Sequence, residues 1–140
     1  MYRIRILSFL FGGLLIAACS SDPASVEVSI LADGNRFSPA RVEVLAGKPA
    51  ILNFYNIGTE EHQLAIQDMP VIVQDGADPL AAHAMEGSNS PMPTNLTAQV
   101  HAVAPVGEQT QLTFVPAKAG EYVFRCILPG HTEDGILVVQ

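Results

Sequence analysis

Hydrophobic and polar residues alternate with a period of two along most of the chain beyond residue 25. Val26, Val28 and Ile30 alternate with polar residues, a pattern typical of a strand with one buried face. Glycine and proline turns separate further segments of this kind, which predicts strands at residues 26–30, 41–44, 50–56, 63–66, 109–115, 121–126 and 136–139. Short strands at this spacing indicate an all-β sandwich or barrel.

The alternation fails between residues 67 and 100. This segment contains four prolines, and residues 81–85 have the pattern of a single helical turn. An irregular connection of about thirty residues inside a compact domain is more often functional than neutral. We therefore treat the residues from about 67 to about 100 as an irregular, proline-rich insert within one domain that extends from residue 26 to residue 140.

The first eighteen residues have the pattern of an export signal. Arg3 and Arg5 precede an apolar run that is too short to span a bilayer as a mature helix. The run ends in Leu-Ile-Ala-Ala before Cys19, and small residues before a cysteine resemble the lipobox of bacterial lipoproteins. In that case residues 1–18 are removed, Cys19 carries lipid and residues 19–25 form a polar linker. The alternative is an ordinary signal peptide followed by a chance cysteine.

Composition narrows the classes of function. The chain has 140 residues, 49% of them apolar and 15% charged, which suits one domain with its own core. Its net charge of -7 argues against nucleic-acid binding, because phosphate contacts need a basic face. The sequence also contains no glycine-rich phosphate loop, nucleophile elbow or zinc-protease motif, so we expect no enzymatic activity.

Cys126 is the first candidate functional residue, and two histidines are predicted to lie near it. If Cys19 carries lipid, Cys126 has no partner for an intramolecular disulfide. It ends a predicted strand, and the Pro129-Gly130 turn that follows can fold the chain back so that His131 faces the same point. Upstream, His62 follows another strand and turn, which a sandwich could bring beside the Cys126 loop.

One thiolate and two imidazoles form the ligand set that selects copper for electron transfer. Structural zinc usually takes four protein ligands, often several of them cysteines. Taken singly, each residue has a commoner explanation, since a lone cysteine is most often a small buried hydrophobe. The combination of a Cys–Pro–Gly–His turn, an upstream histidine and an exported all-β chain favours the metal site.

These residues lie within a sequence that resembles a cupredoxin of the plastocyanin and azurin type. The resemblance is carried by Asn35-Arg36-Phe37-Ser38-Pro39, residues 41–49, the turn at 56–62, residues 114–126 and Pro129-Gly130-His131. It implies a Greek-key β-sandwich with one mononuclear type 1 copper centre. By this resemblance the equatorial copper ligands are His62, Cys126 and His131, and Asn56 lies beside the position that steadies the ligand loops.

The sequence departs from that family where an axial methionine is usual. Read without a gap, Ile136 takes its place; read with a short deletion, the methionine segment is absent. Three outcomes are open. An apolar residue would leave the copper close to three-coordinate, a carboxylate of Asp134 or Glu133 could approach instead, or a methionine of the insert could supply the sulfur. We prefer the first of these hypotheses.

The insert also contains residues suited to Cu(I), which prefers soft ligands. They are His83, Met85, Met92 and His101. A second copper site here would indicate a copper-binding or copper-delivery lipoprotein. The structural alternative is that the methionines fill gaps in an irregular segment. A third interpretation of the whole chain is an interaction module with a degenerate metal site.

The resemblance implies a blue copper protein that transports single electrons in the cell envelope. We expect a monomer tethered to a membrane through lipid on Cys19, facing the periplasm or the cell exterior. Its electrons would leave through the edge of His131, amid an apolar patch of Ile127, Leu128 and Pro129. Acidic surface charge would steer a basic partner, for which a cytochrome or another envelope redox protein is expected.

Overall fold

The structure is a computed structural model that describes residues 24–72, 83–84 and 100–140. The expected signal peptide, Cys19, Met85 and Met92 lie outside these residues. Within them every regular element is a strand, and no helix is long and apolar enough to cross a membrane. The strands are β1 (Val26–Ala32), β2 (Phe37–Ser38), β3 (Arg41–Val44), β4 (Ala50–Asn56), β5 (His62–Ile66), β6 (His83–Ala84), β7 (Val100–Ala104), β8 (Gln109–Phe114), β9 (Gly120–Cys126) and β10 (Asp134–Val139).

The strands form two sheets that pack as a sandwich. One sheet has the strand order β2-β1-β4-β8 and the other β3-β10-β9-β5-β7-β6. Strands β1 and β4 pair in parallel, as do β3 and β10, whereas β9 pairs antiparallel with both β10 and β5. Because strands that are consecutive in sequence, such as β4 and β5 or β8 and β9, lie in different sheets, the chain crosses repeatedly from one sheet to the other. The predicted all-β Greek-key sandwich is therefore confirmed.

The predicted alternation accounts for the core. In β8 and β10 every second residue is buried, so one face of each strand faces the other sheet. Phe37, Phe54 and Phe124 meet in this core, with ring centroids 5.7 Å and 5.9 Å from Phe37. All three rings are at most 2% exposed, and they fill the space just beneath the end of the sandwich that carries the candidate site.

The expected irregular insert ends where β7 begins, and β7 was not predicted as a strand. All five of its residues are buried, so the period-two signal of a half-exposed strand is missing. The helical turn predicted at residues 81–85 is wrong at the two residues described, because His83 and Ala84 extend the sheet by pairing in parallel with β7.

Candidate metal centre

Three adjacent strands direct side chains to one end of the sandwich. Leu64 of β5 lies opposite Cys126 of β9, and His62 precedes Leu64 by two residues, so the three side chains share the inner face. Across the β9–β10 hairpin, Asp134 pairs with Arg125. One step further along, the Cys126 N–H donates to the Glu133 carbonyl oxygen at 3.0 Å.

A tight turn brings His131 to the same place. Its backbone N–H donates to the Leu128 carbonyl oxygen at 3.2 Å, which closes a turn through Pro129 and Gly130. Gly130 has a φ of 87°, a conformation that glycine adopts without steric cost. The predicted Pro-Gly turn therefore reverses the chain between Cys126 and His131.

Four side chains converge. Donor atoms of His62, Cys126, His131 and Glu133 all lie within 4.8 Å of one another. The imidazole rings of His62 and His131 meet edge to face, with centroids 5.0 Å apart. The structure thus brings together the three ligands predicted from the sequence and adds a carboxylate.

The Glu133 carboxylate lies at the centre of this group. Its Oε1 is 2.5 Å from His62 Nδ1 and 2.9 Å from His131 Nδ1. Its Oε2 accepts a hydrogen bond from the Thr132 N–H at 2.9 Å. The side chain is fully buried, which is costly for a carboxylate unless charged or polar partners surround it.

The electrostatics of Cys126 and Glu133 are coupled. Burial raises the pKa of the Cys126 thiol to about 11; hydrogen bonds from the Gln63 and Leu128 backbone oppose this, and the nearby Glu133 carboxylate reinforces it. Burial alone would also raise the pKa of Glu133. Hydrogen bonds from His131, from its own backbone N–H and from His62 outweigh that effect and leave the pKa below its ordinary range.

The donor set fits a copper ion. It offers one thiol and two imidazoles, with donor atoms within 4.8 Å of one another. Cys126 is a free, buried cysteine. A deprotonated thiol with two neutral imidazoles supplies the soft sulfur and borderline nitrogen donors that copper prefers, and a divalent ion would balance the buried negative charge that the carboxylate introduces.

Asn56 holds the turn that leads into His62. Its Nδ2 donates to the carbonyl oxygens of Glu60 at 2.7 Å and Ala104 at 2.8 Å. Its Oδ1 accepts from the Gly58 N–H at 2.9 Å. The side chain thus ties the β4–β5 turn to β7, which is the loop-steadying role that the resemblance implied for this region.

Two of the residues considered for the axial position, Ile136 and Asp134, face away from the site. Ile136 and Asp134 alternate along β10 with the buried Gly135 and Leu137, so both side chains point away from the sheet face that carries Cys126. Glu133, the other carboxylate considered, lies instead among the three predicted ligands, and the choice between the axial hypotheses stays a prediction. Counting back in twos from Leu137 through Gly135 assigns Glu133 to the inner face, a signal available in the sequence.

The second copper site predicted in the insert is only partly within the described residues. His101 is fully buried in β7, and its Nε2 lies 3.2 Å from Gln63 Oε1. His83 is described only through its backbone pairing opposite His101. Met85 and Met92 lie outside the described residues, so this site stays a prediction.

The site comes close to the surface at one histidine. His131 is 12% exposed, and its Nε2 lies 3.5 Å from an oxygen of the solvent-exposed Glu60. In the turn that leads to it, Ile127 and Leu128 are half-buried and Pro129 is exposed. This end of the sandwich therefore presents an imidazole edge among apolar side chains.

Comparison with solved structures shows the same fold in auracyanins. Auracyanin B is 25% identical, with a TM-score of 0.60 over 86% of this chain and 91% of its own. The sodium-dithionite-reduced auracyanin of Roseiflexus castenholzii is 24% identical, with a TM-score of 0.60 over 84% and 98% of the two chains. Auracyanin A, a blue copper protein of Chloroflexus aurantiacus, is 23% identical, with a TM-score of 0.59 over 84% and 100%.

The chain thus has the cupredoxin fold that the resemblance implied. The fold is also shared with part of a larger enzyme, the multi-copper oxidase of Pseudomonas thermotolerans, at 13% identity and a TM-score of 0.60 over 85% of this chain and 30% of that one. No family model and no curated protein matches this chain.

Proposed function

We propose that this cupredoxin-fold chain is a type 1 copper protein that carries single electrons between redox partners. The observation that carries the proposal is the convergence of one buried thiol and two imidazoles, within 4.8 Å, at one end of the sandwich. The fold shared with auracyanins, one of which is described as a blue copper protein, supports it.

The chain itself supplies a preorganised site. His62, Cys126 and His131 would hold the ion, and copper would supply the Cu(I)/Cu(II) couple for single-electron transfer. His62 and Cys126 lie on paired strands with the turn at Asn56 fixed by three hydrogen bonds. Such a frame resists rearrangement of the ligands, which keeps the cost of changing oxidation state low.

His131 offers the route for electrons between the site and a partner. Its ring contacts the buried cluster at one nitrogen and approaches solvent at the other. The neighbouring Ile127, Leu128 and Pro129 would pack against a partner and exclude water. Their burial on docking would shorten the distance from the site to the partner's redox group.

Acidic charge and a lipid tether complete the proposal. The net charge of -7 would steer a basic partner and make association depend on ionic strength; a cytochrome or another envelope redox protein has this role in our proposal. Lipid on Cys19 would tether the monomer to a membrane, facing the periplasm or cell exterior. The copper-delivery alternative depends on Met85 and Met92.

The test is spectroscopic. Residues 20–140 would be loaded with Cu(II), and the visible absorption and electron paramagnetic resonance spectra recorded beside those of Cys126→Ser and a Ser29→Ala control on the opposite sheet. We expect a strong thiolate-to-copper band that Cys126→Ser abolishes and Ser29→Ala preserves. A colourless sample with an ordinary tetragonal signal would exclude Cys126 as a ligand and with it the proposed electron transfer.

A further inference from the structure

Resting on the proposed copper site, we infer that Glu133 is its fourth ligand and that its charge holds the centre towards Cu(II). The carboxylate stands where the family resemblance led us to look for methionine. It supplies an anionic oxygen rather than a neutral sulfur, so we expect it to change the reduction potential of the copper.

The backbone places Glu133 in register with the cysteine. The hydrogen bond from the Cys126 N–H to the Glu133 carbonyl extends the β9–β10 pairing by one step beyond Asp134 and Arg125. Residues that face each other across a hairpin project to the same side of the sheet. The carboxylate therefore reaches the inner face as a consequence of strand register, without any rearrangement of the loop.

The side-chain contacts aim one oxygen at the site. Thr132 N–H holds Oε2, while Oε1 points to the Nδ1 atoms of His62 and His131 at 2.5 and 2.9 Å. Both imidazoles thus direct Nδ1 at the same carboxylate oxygen, and the Cys126 thiol completes a group of four donors within 4.8 Å of one another. A metal ion among these donors would have two nitrogens, a sulfur and a carboxylate oxygen within reach.

Charge balance gives the direction of the effect. The Cys126 thiolate and the Glu133 carboxylate together carry two negative charges. Cu(II) neutralises both charges, whereas Cu(I) leaves one negative charge uncompensated. Both side chains are buried, and an uncompensated charge is costly in a poorly solvated site. The carboxylate therefore stabilises Cu(II) relative to Cu(I), which means a lower reduction potential than a neutral fourth ligand would give.

The test compares Glu133→Gln and Glu133→Met with Asp134→Asn, an exposed carboxylate one residue away. Each change is made in the full chain carrying Cys19→Ser, so that Cys126 is its one cysteine. The Cu(II)-loaded proteins are compared by copper hyperfine splitting, by midpoint potential and by affinity for Cu(II) measured against a competing chelator. Circular dichroism of each metal-free variant shows whether it folds. If Glu133→Gln does not fold, the comparison of the parent with Glu133→Met provides the test.

We expect both Glu133 variants to have a higher potential and a narrower copper hyperfine splitting, because a weaker fourth donor leaves more of the unpaired electron on sulfur. Their affinity for Cu(II) should fall about 10- to 100-fold, as even outer-shell changes do at metal sites, while Asp134→Asn matches the parent. Unchanged spectra and potentials would overturn the inference, and so would tighter copper binding, which would mean that the carboxylate competes with the metal for the histidines. A parent protein without a thiolate-to-copper band would instead refute the proposed function.

Discussion

The ring of Phe124 lies against the backbone of Gly135, its partner across the β9–β10 hairpin. A methyl group on Gly135 would lie 2.2 Å from Phe124 Cζ and 2.7 Å from the Ala40 carbonyl oxygen. The absence of a side chain at Gly135 thus lets the Phe124 ring pack directly against the last strand, two residues before Cys126.

Gly135→Ala is therefore expected to destabilise the protein. Both colliding groups are fixed, one in the core and one in the backbone, and overpacking of this kind typically costs about 1–3 kcal/mol. The free energy of unfolding from urea titration of the metal-free protein measures it. Gly120→Ala is the matched control, since its methyl would lie no closer than 3.3 Å to the half-buried Tyr122 side chain. Equal losses in the two variants would contradict the packing argument.

Asn56→Ala is expected to weaken both the fold and the site. It removes three hydrogen bonds in the turn before His62, and unsatisfied buried polar groups cost about 1–3 kcal/mol. Asn53→Ala is the control, because Asn53 lies on the same strand and is equally buried, but its hydrogen bonds to Glu27 and Gln111 are on the outer face of the sheet, away from the site. Both variants should lose stability, but only Asn56→Ala should slow copper uptake and speed amide exchange at residues 57–61. Equal uptake rates would remove Asn56 from the site.

Most strands and three of the four converging donors could be predicted because their signals are local in the sequence. Half-buried strands alternate, and a cysteine and histidine joined by a Pro-Gly turn are close in sequence, so both signals are local. The strand β7 was not predicted because burial on both of its faces removes the alternation of hydrophobic and polar residues. The helical turn expected at residues 81–85 likewise gave way to pairing with β7, a tertiary contact that local propensity does not encode.

The fourth donor was only one of the alternatives left open by the sequence, because its position depends on register between two strands. Alignment with a methionine-containing family drew attention to Ile136, whose side chain the pleat directs outward. Glu133 is distinguished from Ile136 and Asp134 only when Leu137 and Gly135 are taken as inward and the alternation is continued into the loop, against the expectation that a glutamate is exposed. A buried carboxylate is uncommon unless it is paired, so the burial of Glu133 is itself an indication of a functional site.

Acid should destabilise the metal-free protein through Glu133. Its pKa is lowered in the folded state, so the unfolded state binds more protons once the pH falls below the ordinary glutamate pKa of about 4.3. The stabilisation is present above that pH and is lost as the pH falls through the folded-state value. Urea titrations between neutral pH and pH 3 should show a shallower decline for Glu133→Gln. Glu121→Gln is the control, because Glu121 forms an exposed ion pair with Arg41, a type that contributes little. An unchanged pH profile in Glu133→Gln would contradict the prediction.

Cys126 should react slowly with alkylating agents until the solution is strongly alkaline. The thiolate is the reactive form, and burial raises the pKa of this thiol to about 11. In metal-free protein carrying Cys19→Ser, the alkylation rate should therefore keep rising beyond pH 9, whereas the same chain in denaturant should level off near the ordinary thiol value of about 8.5. Because the folded state retains the proton that the unfolded state releases, stability should also fall as the pH rises between these two values. A folded-state profile that levels off with the denatured one would show that burial and Glu133 do not suppress the thiolate.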